Sequence, residues 1–295
     1  MTPTNRPITS REYKLLLNTE RFRDRSAGAG LFWRMLEFLV RNQDNEVIPA
    51  GADPEKDKVE RRTTWYLDTP GYELQRVNVT LRVRDEFEAA KAEGKKRYKV
   101  TLKYRMPDRY TAAGSDLSCS EKIKKDDIKF EEDVTPPFAS KFSYSASLKT
   151  DELPRILEMQ DVVDLFPGLA QVDIHGKTPI QIVNGFRAHE VMHYIGKLKL
   201  DKLPAARALE LPEFVVKVAL SHWYLLETED DYPLVTEFSF GFDATAGDGK
   251  DNDRLEKFPP TVVAGANRLF RDVQNQAGWL SPFGLTKTAY LFEVL

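Results

Sequence analysis

Thr80-Leu81-Arg82-Val83-Arg84 and, beyond a charged run, Lys99-Val100-Thr101-Leu102-Lys103-Tyr104-Arg105 decide how this chain is read. Both alternate with a period of two, the spacing of a strand whose two faces differ. One face carries Leu81, Val83, Val100 and Leu102. The other carries Arg82 and Arg84 with Thr80, then Lys99, Lys103 and Arg105 with Thr101. A surface strand turns such charges to water and its apolar side to the core, and that account fits each strand taken alone. The charged face recurs, though, as Glu12 and Lys14 near the start of the chain and as Lys129, Glu131 and Asp133 further on. If the sheet closes, those faces line a lumen. Like charges crowded there repel one another without a ligand, so the pattern points to function rather than to folding. Arginine forks and lysine point charges suit phosphate oxygens. Carboxylates suit Mg²⁺ or Mn²⁺.

Outward from these two stretches, period-two patterning predicts strands over 8–17, 62–68, 77–85, 97–105, 128–134, 179–194, 214–227 and 234–242. Helices are expected at 31–41, 153–165 and 261–276, the last with Val262, Ala266, Leu269, Phe270 and Val273 as its apolar stripe. The segment 51–60 reads as an exposed loop, 247–257 as a polar loop, and 138–177 as a linker with one helix in it. The charged run 86–96 reads as a short helix or a long hairpin loop. No internal repeat is present. The expected architecture is α+β, an eight-stranded antiparallel β-barrel with inserted and C-terminal helices. It forms a single domain over 1–295, with insertions at about 18–61 and 138–178.

Composition narrows the class. Of 295 residues, 41% are hydrophobic and 30% charged, enough for a sizeable core and a well-solvated surface. The formal charge is −3, from 43 basic and 46 acidic residues, so the chain as a whole is no polycation built for nucleic acid. One cysteine, Cys119, excludes an intrachain disulfide and favours a cytoplasmic location. No apolar run approaches the roughly 20 residues that span a bilayer. The stretch 1–10 is polar and lacks a signal peptide's apolar core. No membrane partner is expected.

Several motifs follow one another in the order of a known family. Ser10-Arg11-Glu12-Tyr13-Lys14 resembles the opening ExExK strand of the CYTH superfamily, the triphosphate tunnel metalloenzymes. Tyr66-Leu67-Asp68-Thr69-Pro70 resembles their YFDTP turn, Leu81-Arg82-Val83-Arg84 their LRxR strand, and Thr101-Leu102-Lys103 their TLK strand. Lys129-Phe130-Glu131-Glu132-Asp133 is similar to their RxExE strand, and Thr286-Lys287-Thr288-Ala289-Tyr290 to the terminal SKY segment. The resemblance covers 10–290 and implies an eight-stranded antiparallel tunnel that hydrolyses or cyclises triphosphate compounds with Mg²⁺ or Mn²⁺. By the same resemblance Arg82, Arg84, Lys103, Lys129 and Arg187 grip phosphates. Lys14 grips phosphate or orients the attacking water, Glu12 shares the catalytic step, and Glu12, Glu131 and Glu237 hold the metal. The departures fall on the carboxylates. Ser10, Ser221 and Ser239 stand where acids are expected, and Gly241 where a third closing acid often stands. The implied ligand is a triphosphate-containing small molecule, or the 5′-triphosphate end of an RNA. The alternative on the same fold is a non-catalytic polyphosphate- or nucleotide-binding protein.

His189-Glu190-Val191-Met192-His193 competes with this reading, because it fits H-E-x-x-H. On a helix the two histidines share a face and bind Zn²⁺, with Glu190 as base and Glu210, Glu213 or Glu227 as third ligand. The flanks read as strand, however, and Gly185 and Gly196 leave barely a helix's length between them. On a strand, His189 and His193 lie on Arg187's face, Glu190 points the other way, and the zinc geometry is lost. Cys119 reads as an unused thiol, Trp65, Trp223 and Trp279 as core, and 122–125 as a solvated face.

Overall fold

The charged strands close into a barrel. A computed structural model describes residues 6–42, 46–47, 57–87, 94, 96–121, 123–124, 127–200, 215–225, 233–244, 258–284 and 286–295. The barrel strands are β1 (Ser10–Leu17), β3 (Lys58–Asp68), β4 (Val79–Asp85), β5 (Tyr98–Met106), β6 (Ile128–Thr135), β7 (Ala139–Thr150), β8 (Gln181–Lys199), β9 (Val215–Leu225) and β10 (Val235–Asp243). They hydrogen-bond in the order β8-β3-β4-β5-β7-β6-β1-β10-β9, and β9 returns to β8. The two-residue β2 (Glu46–Val47) adds a rung beside the end of β8.

The barrel therefore has nine strands where eight were expected, and it is mixed rather than antiparallel. The ninth is β7, in the stretch read as a linker. Its inward residues are Ser143, Ser145 and Ser147, and its outward ones Tyr144, Ala146 and Leu148, so it shows little of the charge contrast that marks β4 and β5. An odd ring cannot alternate direction throughout. One neighbouring pair must run parallel, and that pair is β1 with β6.

Most of the apolar core lies outside this barrel, while a smaller cluster with Leu16, Tyr66, Trp223 and Val235 lies on the inward faces of β1, β3, β9 and β10. α1 (Arg25–Asn42) and α5 (Pro260–Gln274) cover the outer face of β1, β8, β9 and β10, where Phe32, Trp33, Leu269 and Phe270 meet Tyr13, Phe238 and Phe240. The short helices α2 (Glu73–Arg76), α3 (Arg109–Gly114) and α4 (Met159–Leu165) cover β3 to β7, over Leu81, Val83, Val100 and Leu102. Each fully buried side chain of this kind contributes roughly 1.5–3 kcal/mol. These outer layers hold together a barrel whose interior is polar. Gly196, at φ 153°, sits at a bulge of β8 against α1, and a Cβ there would run into the indole of Trp33.

α5 matches expectation to within two residues, and α1 begins six residues earlier than expected. The helix expected at 153–165 shrinks to α4, because Glu158 and Asp161 form a capping box that starts it late. Trp65 and Trp223 are buried, as expected of core residues. The segments 86–96, 122–125 and 247–257 lie wholly or partly outside the described residues. No helix among the described residues is long and apolar enough to cross a membrane.

Candidate functional site

Alternation along each strand turns one polar side chain in two into the barrel, and together these line a cavity of about 420 Å³. Among the described residues, ten lysine and arginine side chains face it, against four carboxylates. The two kinds are not mixed evenly. β4 and β5 form a cationic wall, with Arg84 in register with Lys99, Arg82 with Thr101 and Thr80 with Lys103. Across the ring, β6, β1 and β10 bring Glu131, Asp133, Glu12 and Glu237, with Lys14 among them. The serines of β7 separate the two walls on one side.

Two buried carboxylates organise the cations. Asp133 on β6 takes the ammonium of Lys14 at 2.8 Å, that of Lys103 at 3.2 Å and the guanidinium of Arg105 at 3.0 Å, and accepts from Ser143 at 2.8 Å. Burial pushes its pKa up, but Lys103, Lys14 and Arg105 outweigh burial and hold it well below the usual carboxylate range. Glu190 on β8 is the second hub. It accepts from Arg62 at 2.6 Å, Lys287 at 2.8 Å, Ser221 at 2.8 Å and Thr64 at 2.9 Å. Its pKa is likewise held down against burial, by Arg62, Lys287 and Arg84. Lys287 is carried by α6 (Lys287–Glu293), so this C-terminal helix is tied into the lumen.

Three cations on the β4–β5 wall are left over. Arg82 and Lys99 have no carboxylate partner among the described residues, and Arg84 comes no closer than 3.7 Å to Glu190. The buried Nε atoms of Arg82 and Arg84 have no hydrogen-bond acceptor among the described residues. The effect of this unspent charge is visible in neighbouring groups. Burial, then Arg84 and Arg82, lower Lys99 to about 8. Burial, then Arg62 and Arg82, lower Arg84. Burial raises the Tyr66 phenol, but Arg82 and a hydrogen bond with Thr288 bring it below its ordinary value.

Of the residues singled out from sequence, Glu12, Lys14, Arg82, Arg84, Lys103, Glu131 and Glu237 all face this cavity, with Lys129 at its rim. Arg187 does not. It is exposed on the outer side, its guanidinium 4.5 Å above the ring of Trp65. The cause is an irregularity in β8. Trp65 pairs with Arg187, yet Leu67 pairs with Ile182, so residues 183–186 bulge and the phase of inward residues resets. His189 and His193 follow Arg187 outward, and Glu190 between them is the buried hub. The H-E-x-x-H segment is thus strand, as its flanks indicated, and the helical geometry of a zinc peptidase is missing. The third ligands weighed for it, Glu210, Glu213 and Glu227, lie outside the described residues. Asp68, in the turn motif, accepts from the backbone N–H groups of Thr69, Leu74 and Gln75 and shapes that turn.

Sequence reasoning left Arg62, Arg105, Asp133 and Lys287 without a role, and gave Glu190 one only as the base of the zinc reading. Arg105 and Asp133 were legible as inward, since they share the charged faces of β5 and β6.

The divalent metal implied by the resemblance does not fit these residues. Among the described residues no three carboxylate, histidine or cysteine side chains are grouped to share an ion. Glu12 is paired with Lys14 at 2.8 Å and Glu237 with Lys287 at 3.4 Å. Ser10 donates to Glu131 at 3.0 Å. No further acid fits at Gly241, where a Cβ would lie 2.8 Å from the carbonyl oxygen of Arg11.

Comparison with family models and with curated proteins finds no match. Comparison with solved structures finds several. A proposed adenylyl cyclase from Hippeastrum, described as having a dominant triphosphatase activity, is 13% identical, with 96% of this chain and 95% of that one covered and a TM-score of 0.44. A proposed adenylate cyclase from Bacillus halodurans is 11% identical, with 97% and 100% covered and a TM-score of 0.38. A protein from Pyrococcus horikoshii is 13% identical, with 90% and 89% covered and a TM-score of 0.30.

Proposed function

We propose that the barrel is a binding tunnel for triphosphate-containing small molecules, seated on the β4–β5 wall. The observation that carries this is the charge left over inside the barrel. Ten cationic side chains face the cavity, and the carboxylates engage only part of them. Buried guanidinium N–H groups without acceptors, as at the Nε atoms of Arg82 and Arg84, are costly, and a chain of phosphates supplies the acceptors they lack. The alternation of Arg82 and Arg84 along one strand, with Lys99 and Lys103 on the next, matches a linear polyanion better than a single phosphate.

Metal-dependent hydrolysis, the finer expectation drawn from the resemblance, finds no support in the way the carboxylates are paired. The non-catalytic alternative is therefore the reading adopted. Thermal stabilisation measured over a panel of inorganic triphosphate, thiamine triphosphate, nucleoside triphosphates, a 5′-triphosphate RNA and inorganic phosphate tests it. Triphosphates are expected to stabilise and inorganic phosphate to do so far less. Equal stabilisation by all, or by none, refutes the reading. Phosphate release measured on the same panel is expected to stay at background, and turnover would restore the enzyme.

A further inference from the structure

The lumen's carboxylates and its cations are unequally engaged, and the imbalance says what form of the ligand the tunnel takes. Among the described residues, the four carboxylates that line the cavity and the buried Glu190 each have a cation of the chain beside them. Asp133 has three, Glu190 has Arg62 and Lys287, Glu12 has Lys14, and Glu237 has Lys287. Glu131 lies 3.5 Å from Lys103 and 3.8 Å from Lys129, and the Ser10 hydroxyl donates to one of its oxygens. A divalent cation entering this side would meet Lys14, Lys103 and Arg105 around the most buried acid, and would have to displace them to reach its oxygens. Like charges held so close in a low-dielectric interior repel strongly. The opposite wall has the reverse imbalance, with Arg82, Arg84 and Lys99 short of anionic partners.

We infer that the tunnel takes its polyanion as the metal-free species, with Arg82, Arg84 and Lys99 supplying the charge neutralisation that a divalent ion supplies in metal-dependent phosphate sites. This rests on the binding reading above. A phosphate chain lying along β4 and β5 gives the buried Nε atoms of Arg82 and Arg84 their acceptors and Lys99 its counter-charge. A chain already complexed by Mg²⁺ carries less negative charge to that wall, and brings a dication into a lumen with a cationic surplus.

Calorimetric titration of potassium tripolyphosphate into the full chain tests this, once with EDTA and once with Mg²⁺ well above the ligand concentration. Binding in EDTA is expected, with an affinity at least equal to that in Mg²⁺. Titration of Mn²⁺ alone is expected to give no saturable binding. Lys99→Met, which keeps the stem and removes the ammonium, is expected to weaken binding in EDTA by about tenfold or more, the scale of a lost charge-assisted hydrogen bond. Binding seen only with Mg²⁺ or Mn²⁺ and abolished by EDTA overturns the inference while the binding reading stands. No binding in either buffer removes the binding reading, and this inference with it.

Discussion

Replacing Asp133 by Asn removes one negative charge from the centre of the polar interior and leaves the shape unchanged. Lys14, Lys103 and Arg105 then face one another, 2.8–3.2 Å from an amide that neutralises none of them. Removing one partner of a buried ion pair costs about 3–5 kcal/mol. Unfolding entropy of roughly 2.1 cal/mol/K per residue over 295 residues converts that to a fall in Tm of about 5–8 °C. Circular dichroism melts of ligand-free wild type and Asp133→Asn measure it. The same melts with tripolyphosphate carry a second expectation. The phosphate chain replaces the missing charge, so it raises the Tm of the variant more than that of wild type. A variant as stable as wild type without ligand refutes the view that Asp133 holds the cations together. A larger ligand effect on wild type refutes the view that the cations and the ligand share one site.

Other outcomes follow from the same geometry. Arg82→Ala removes a cation with no carboxylate partner, so it should leave the ligand-free Tm unchanged or slightly raised and weaken tripolyphosphate binding by about 1.5–3 kcal/mol, read by calorimetry. Burial, with His193 adding to it, lowers buried His222 from 6.5 to about 3. Its imidazole therefore stays neutral in the fold while the unfolded chain takes a proton below pH 6.5. Stability should be full above that pH and fall by about 1.4 kcal/mol per unit on acidification, until about pH 3. In urea melts between pH 6.5 and 4.5, His222→Phe should show a shallower decline. Lys99, lowered to about 8, is mostly deprotonated at pH 9 without ligand and is held charged by a bound anion. Tripolyphosphate binding at pH 9 should therefore take up protons, seen as a buffer-dependent heat that Lys99→Met abolishes.

The wall that decides the function was legible in the sequence because β4 and β5 are regular. Their alternation is unbroken, so the inward set of Arg82, Arg84, Lys99, Lys103 and Arg105 follows from counting by two. On β8 the bulge at 183–186 shifts the phase, so Arg187, which the resemblance places inside, lies outside, and Glu190, which counting from Arg187 turns outward, lies inside. No residue type in that stretch announces the shift except Asn184 and Gly185, both at positive φ. β7 was missed because its inward face is serine. Neutral hydroxyls next to tyrosine and alanine look like a linker until Arg105 and Asp133 are seen to need Ser143. The pairing of the carboxylates was beyond the sequence altogether, since Asp133 meets Lys14 and Glu190 meets Lys287 only when distant strands and the C-terminal helix close on the lumen.

The most direct measurement of the central claim is a crystal structure of the full chain grown with tripolyphosphate and EDTA. The account predicts a phosphate chain inside the barrel along β4 and β5, within hydrogen-bonding distance of Arg82, Arg84 and Lys99. A phosphate chain bound on the outer surface, around Arg187 for instance, with an unchanged lumen, would contradict it.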